Sequence, residues 1–370
     1  MSTSADIDIL KTWIEAESPS HDAAAVGRMA DIVTAHISDT QIAVERVPGK
    51  DGLGDWLILR AGPQTNEPPL LLLSHLDTVH PLGTVRNALP FRAEDDLLYG
   101  PGIYDMKGGM YIGIEAFKDV VQRGAANRPI VYLCTPDEEI GSPTSREQIT
   151  AFGKSASAVL VTEPARDGGK VVTARKGLGL FNIKVSGRAA HAGMRHADGR
   201  SAIAEAARLV LAIEAMTDRL RGITANVGMI SGGTAVNTVP EFCSFPVDVR
   251  FENPEGGKRI CDAIAALKPS SADYKVEIIG GEDRPAYDHS EQGLELFEKA
   301  RLLASEIGFE LAATERTGGV SDGNFTAILG TPTLDGMGVD GAGAHTLHEH
   351  IYVSSIAPRK ALLTRLMETL

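Results

Sequence analysis

Apolar residues recur with two different spacings along this chain. Ile7, Leu10, Trp13 and Ile14 fall on one side of a helical spiral, as do Val26, Met29, Ile32, Val33 and Ile37. That pattern predicts two amphipathic helices at the start. Residues 69–74 form a continuous apolar run that ends in a polar cluster, the signature of a strand buried on both faces. Residues 130–134 and 158–162 read the same way, and residues 110–121 and 146–152 have helical spacing between and after them. Strands alternating with helices predict an α/β sheet covered by helices.

The middle of the chain changes character. Residues 180–185 alternate as a half-buried strand, and 201–220 form a long Ala/Leu/Glu/Arg helix. Strands follow near 225–230 and 243–251, then a helix opening with Asn253-Pro254 and running to about 267, then a strand at 274–279. The order β-α-β-β-α-β is that of a ferredoxin-like, split βαβ unit. Residues 177–285 are therefore expected to form an inserted domain. The α/β pattern then resumes with a helix at 293–307, a strand at 310–315, a helix at 324–329, a strand at 332–335 and a closing helix at 356–370. Residues 1–176 and 286–370 would together make one discontinuous domain.

Composition narrows the class. The 370 residues carry a formal charge of −13, which argues against a nucleic-acid surface or a basic membrane anchor. No apolar run approaches the roughly 20 residues of a membrane helix. The first six residues have neither a basic start nor an apolar stretch, so no signal peptide is expected. Cys134, Cys243 and Cys261 show no C-x-x-C spacing, which suits a reducing cytoplasm rather than a disulfide framework.

Acidic and histidine residues gather where the predicted strands end. His75 and Asp77 follow the first buried strand, Glu138 and Glu139 follow the second, and Glu163 follows the third. Asp105 lies in a glycine-rich loop, residues 100–109. Open α/β sheets place their sites beyond the carboxyl ends of strands. Each residue alone has an ordinary reading: a solvated Glu-Glu turn, a strand-end histidine, an aspartate serving a turn. The repetition at successive strand ends is what points to a site. Imidazole plus carboxylate without thiolate suits zinc, manganese or cobalt. His75, Asp105, Glu139, Glu163 and one C-terminal histidine would hold two such ions if Asp105 bridges them. Asp77 is placed to orient His75 by accepting its ring N–H, and Glu138 is placed to be a general base. Which of His345, His348 and His350 would bind metal is open on chemistry alone.

The motifs SHLDTV (74–79), YGPGIYDMKGG (99–109), TPDEEIGS (135–142), TEP (162–164), SGRAAHAG (186–193), NTVP (237–240), DVRF (248–251), DRPAY (283–287), ERTGGVSD (315–322) and GAHTLHEHIYV (343–353) resemble, in content, order and spacing, the di-zinc hydrolase family of glutamate carboxypeptidases, aminoacylases, acetylornithine deacetylases and succinyl-diaminopimelate desuccinylases. The glutamate carboxypeptidase branch is the most similar. The resemblance implies a three-layer α/β/α zinc-exopeptidase-like catalytic domain with a ferredoxin-like lid and dimerisation domain. It implies two Zn2+ per subunit, with Co2+ or Mn2+ as possible substitutes. His75 and Glu163 would bind one ion, Glu139 and His345 the other, and Asp105 would bridge, with a cis Asp105–Met106 peptide. His191 would steady the oxyanion in a partner subunit's site. Asn237, Arg250 and Arg284 match positions that would hold substrate carboxylates, a task to which the planar guanidinium fork is suited, and Arg316, in a loop matched to the close relatives, would join them.

The expected activity is hydrolysis of the amide bond to a C-terminal glutamate or aspartate by a cytoplasmic homodimer, on a small N-acyl amino acid or peptide. A deacylase acting on a substrate such as N-acetylornithine would share the chemistry with a different pocket. A non-catalytic amino-acid-binding protein or a purely structural metal site would have no use for Glu138.

Overall fold

The computed structural model describes residues 4–370; the first three residues, part of the stretch read above as lacking a leader, lie outside the described residues. The chain divides into two compact units. One comprises residues 1–174, 289–317 and 321–370, and the other residues 175–288 with 318–320.

The first unit is built on a six-stranded mixed sheet in the order Ala43–Val47, Trp56–Ala61, Ile130–Thr135, Leu70–His75, Ala158–Val161, Thr333–Leu334. The last four run parallel to one another, and Trp56–Ala61 is antiparallel to both of its neighbours. Strand side chains alternate between faces, and here both faces are apolar. Leu57, Leu59, Leu70, Leu72, Ile130, Tyr132 and Leu160 point into one core, shared with the helices Ala23–His36, Gly108–Gln122, Glu291–Ile307 and Val353–Thr369. Ile58, Leu71, Leu73, Val131, Leu133, Val159 and Val161 point into another, with Ile149 of helix Arg146–Ser155 and Phe325 of helix Gly323–Ala327. Helices on both faces of the sheet make the three-layer α/β/α arrangement.

A separate small antiparallel sheet, in the order Gly341–Ala342, His350–Tyr352, Leu97–Tyr99, Arg92–Glu94, carries the loop that holds His345. The segment 310–315, read from sequence as a strand, makes only one bridge, Ala313 to Val171. The edge strand Ala43–Val47 and its inner neighbour Trp56–Ala61 have no counterpart in the sequence reading.

In the second unit, strands Thr224–Asn226, Phe242–Phe251, Gly177–Ser186 and Lys275–Arg284 lie in that order. Helices Ala202–Glu214 and Pro254–Ala265 supply Ala206, Leu209, Ile213, Ile260 and Ile264 to the core on the sheet. Ser201 and Asn253 cap these helices through their side chains, and Pro254 occupies the first turn of the second, where its missing N–H costs no hydrogen bond. Among the described residues, no helix is long and apolar enough to cross a membrane.

Leu72 is fully buried between a parallel neighbour on either side. Leu72→Ala is expected to destabilise the first unit by about 2–5 kcal/mol, measured as a lower urea midpoint; an unchanged midpoint would contradict the packing described.

Candidate metal centre

Three parallel strands bring their carboxyl ends to one edge of the sheet. His75 is the last residue of Leu70–His75, Glu138 and Glu139 open the 3₁₀ turn Glu138–Ile140 after Ile130–Thr135, and Glu163 lies just beyond Ala158–Val161. Asp105 arrives from the segment Ile103–Lys107, where the Asp105–Met106 peptide is cis. Two glycines permit this convergence. Gly102 has φ +70°, and a Cβ there would sit 2.3 Å from Thr78 Cγ2. A Cβ on Gly109 would sit 1.9 Å from the Thr162 carbonyl oxygen. Only glycine lets the loop and the following helix approach the strand ends this closely.

The two oxygens of Asp105 face two different partner pairs. Oδ1 lies 3.3 Å from His75 Nε2, which lies 3.6 Å from Glu163 Oε1. Oδ2 lies 3.4 Å from His345 Nε2, which lies 3.1 Å from Glu139 Oε2. Glu138 enters the same centre: one ligand atom each of His75, Glu138 and Glu163 lie within 4.8 Å of one another, as do those of His75, Asp105 and Glu139. His345 sits at φ +63° in the loop after Gly341–Ala342 and is half-exposed. His348 and His350 are held away from this grouping. His350 Nδ1 lies 2.7 Å from the His348 carbonyl, and its ring packs on Tyr99 and Tyr352.

Asp77 does more than the spacing suggested, and in a different way. The nearest partner of His75 Nδ1 is the main-chain carbonyl of Asp77, at 2.8 Å, with the carboxylate Oδ1 at 3.4 Å. The Asp77 carboxylate accepts the amide N–H groups of Glu138 and Glu139 at 3.1 and 3.2 Å and the Ser20 hydroxyl at 2.6 Å. It therefore fixes the turn that presents both glutamates. The amide of His75 donates to Met106 Sδ at 3.2 Å. Sequence reasoning assigned no role to Glu349 or His80, although Glu349 stands inside the motif 343–353. Glu349 is buried and takes the amides of Gly102, Tyr104 and Asp105 at 2.8, 2.9 and 3.0 Å and His80 Nε2 at 2.8 Å.

The charges are strongly coupled. Burial opposes ionisation of Asp105, but hydrogen bonds from His345 and His75 hold its carboxyl far below the usual range. Burial, with the Asp105 charge added, pushes Glu139 up to about 8 and Glu163 well above an ordinary glutamate. Hydrogen bonds to Asp105 and Glu139 lift His345 to about 11. Burial works against a charged His75, yet its bonds to Asp105 and Asp77 and the charges of Asp77 and Glu163 carry it well above its ordinary value. Glu139 Oε1 is buried with no hydrogen-bond partner. An orphaned carboxylate oxygen within an all-nitrogen-and-oxygen donor set is what a divalent cation completes, so these residues fit a metal of that class.

The remaining predicted residues lie in the second unit, apart from Arg316, which is half-buried in the first. His191 and Thr238 pair across a two-stranded ladder, and the Ala192 amide donates to the Asn237 carbonyl at 2.9 Å, which places His191 beside Asn237. His191 Nδ1 accepts the amides of Gly193 and Met194, each at 3.2 Å. Arg250 grips Asp248 with two parallel bonds of 2.9 and 2.8 Å. Arg284 is fully buried and lies 3.5 Å from Asp283.

The model of peptidase family M20/M25/M40 matches residues 71–369. Carboxypeptidase G2 of Pseudomonas sp. (strain RS-16) is 31% identical, covering 98% of this chain and 88% of that protein. Succinyl-diaminopimelate desuccinylase of Ralstonia nicotianae is 32% identical, covering 85% of each. In fold, the chain is similar to an M20 family metallo-carboxypeptidase, Sso-CP2, from Sulfolobus solfataricus (TM-score 0.75, 16% identity, covering 100% and 99%). It is also similar to aminopeptidase PepT from Bacillus cereus (TM-score 0.73, 21% identity, covering 100% and 98%).

Ligand atoms must be deprotonated before they bind metal. With Glu139 and both histidines raised, the metal-free centre holds protons at pH 7, so Zn2+ uptake should release them and affinity should rise from pH 6 to pH 8. Calorimetry in buffers of different ionisation enthalpy measures the release; identical heats in all buffers would contradict the coupling described.

Proposed function

The chain belongs to peptidase family M20/M25/M40 and is a metal-dependent hydrolase, and from that premise we propose that it cleaves the amide bond to a C-terminal glutamate or aspartate with two divalent ions, zinc foremost. The observation that carries this reading is Asp105, whose two oxygens each face one histidine–glutamate pair. His75 and Glu163 would hold one ion, His345 and Glu139 the other, and Asp105 would bridge. Two ions in such a centre, when bound, supply a water of lowered pKa and polarise the amide carbonyl.

The protein's own groups do the rest. Glu138 takes the proton of the attacking water and returns it to the leaving amine. Asp77 holds Glu138 and Glu139 by their main-chain amides, so the base and its neighbouring ligand move together. Because two amides donate to His191 Nδ1, that nitrogen is the acceptor and Nε2–H is left as the donor toward a developing oxyanion. Arg284, Asn237 and Arg250 would receive the carboxylates of the amino acid, and Arg316 is assigned the same task. Arg250 does so with part of its guanidinium already committed to Asp248. The unit Arg175–Asp288 is assigned the role of lid and dimerisation domain, with His191 acting at the centre of a partner subunit. The three cysteines are free and buried, which supports a reducing cytoplasm as the place of action.

The test is amino-acid release from a panel of N-acyl and N-aroyl amino acids by the zinc-loaded protein. Glutamate or aspartate release is expected, with kcat lowered at least about 100-fold in Glu138→Ala while metal content is kept. Faster turnover of N-acetylornithine or an N-succinyl amine would move the chain to the deacylase reading that the desuccinylase relative represents. Turnover undiminished in Glu138→Ala would overturn the assigned base. His191→Ala is expected to lower kcat about 100-fold with KM little changed, read in the same assay.

A further inference from the structure

Glu349 is fully buried, and its carboxylate offers about four acceptor positions, two per oxygen. All four are filled. Oε1 receives the amides of Tyr104 and Asp105, at 2.9 and 3.0 Å. Oε2 receives the Gly102 amide and His80 Nε2, both at 2.8 Å. Each of these partners belongs to a segment that carries a proposed metal ligand. His80 lies five positions beyond His75, the three amides flank or include Asp105, and Glu349 itself lies four positions beyond His345. A single carboxylate thus ties together three chain segments that are remote in sequence and converge on one centre. The cradle around it is also tight, since Gly102 takes part at φ +70° in a space that admits no Cβ.

We propose that Glu349, held by His80, is a positioning residue for the metal centre: it sets the backbone of the Gly102–Asp105 loop so that the two oxygens of Asp105 face the two histidine–glutamate pairs. The inference rests on the bridging role given to Asp105 above. Its physical basis is hydrogen-bond geometry. Three amide donors aimed at one anion fix the direction of the Cα–Cβ bond of Asp105 more firmly than packing alone could, and outer partners of this kind commonly govern metal affinity. Glutamine at 349 would keep the shape but offer one accepting oxygen. Its NH2 group would then confront at least one amide donor of the loop, leaving a buried polar group unsatisfied.

The experiment is titration of the metal-free full chain with Co2+, followed by visible absorption and by competition with a chelator. The wild type is expected to take up two ions. Glu349→Gln, with the far-ultraviolet dichroism of the wild type, is expected to bind at least one of them about 10- to 100-fold more weakly, with an altered Co2+ spectrum. His80→Ala should weaken binding in the same direction, and His80→Gln, which retains an N–H donor toward Glu349, should restore most of it. A role in general stability alone would lower the melting temperature of the metal-free variants and leave the Co2+ spectrum and affinities at wild-type values; that result would overturn the proposal. If Glu349→Gln does not fold, wild-type Co2+ affinities in His80→Ala would overturn it equally. A wild-type chain that takes up fewer than two Co2+ ions would instead refute the bridged centre, and this inference with it.

Discussion

Carboxylates buried side by side repel one another, and the neighbourhood of the strand ends is organised around that repulsion. Asp105, Glu139 and Glu163 are all withdrawn from water within reach of two imidazoles. With no metal bound, burial and that repulsion favour protons on Glu139 and Glu163, and the neighbouring carboxylates favour them on the histidines. Protons answer the charge but leave Glu139 Oε1 without a partner. Divalent cations answer both, since they neutralise the carboxylates and occupy the remaining lone pairs. Hydrolysis would then need a base close to the ions, the role proposed above for Glu138.

The sheet makes such a centre possible. Three parallel strands, apolar on both faces, are paired in register and buried, and their last residues come to one edge at the spacing the ladder sets. What the strands cannot supply comes from loops, and the loops are tethered by buried carboxylates. Asp77 holds the Glu138–Glu139 turn by two amides, and Glu349 holds the Asp105 loop by three. In both cases the carboxylate aims main-chain donors rather than side chains. Strand ends and tethered loops together bring His75, Asp105, Glu139, Glu163 and His345 into one cluster.

Much of this was legible in the sequence because it was written in long apolar runs. His75, Glu139 and Glu163 stand next to apolar runs that read as buried strands, and strand ends are where open α/β sheets place their sites. The inserted β-α-β-β-α-β segment was legible from the same periodicity. Residues 43–47 were not, because an edge strand whose side chains are almost all exposed has no apolar signature. The segment 310–315 misled for the opposite reason: it has strand-like composition, but only Ala313 finds a partner. The roles of Asp77 and Glu349 were hidden because they depend on which way backbone N–H groups point. Spacing reveals which side chains share a face but is blind to the direction of an amide two segments away. Among His345, His348 and His350, spacing was equally blind, and the loop conformation places only His345 against Asp105 and Glu139.

The central claim is that Asp105 lies between two metal ions. Anomalous diffraction from crystals of the zinc-loaded protein, collected on both sides of the zinc edge, tests it most directly. The account predicts two zinc peaks about 3.5–4 Å apart, one against His75 and Glu163, the other against His345 and Glu139, with one Asp105 oxygen on each. A single peak, or a second zinc ligated by His348 or His350 with Asp105 outside its shell, would contradict it.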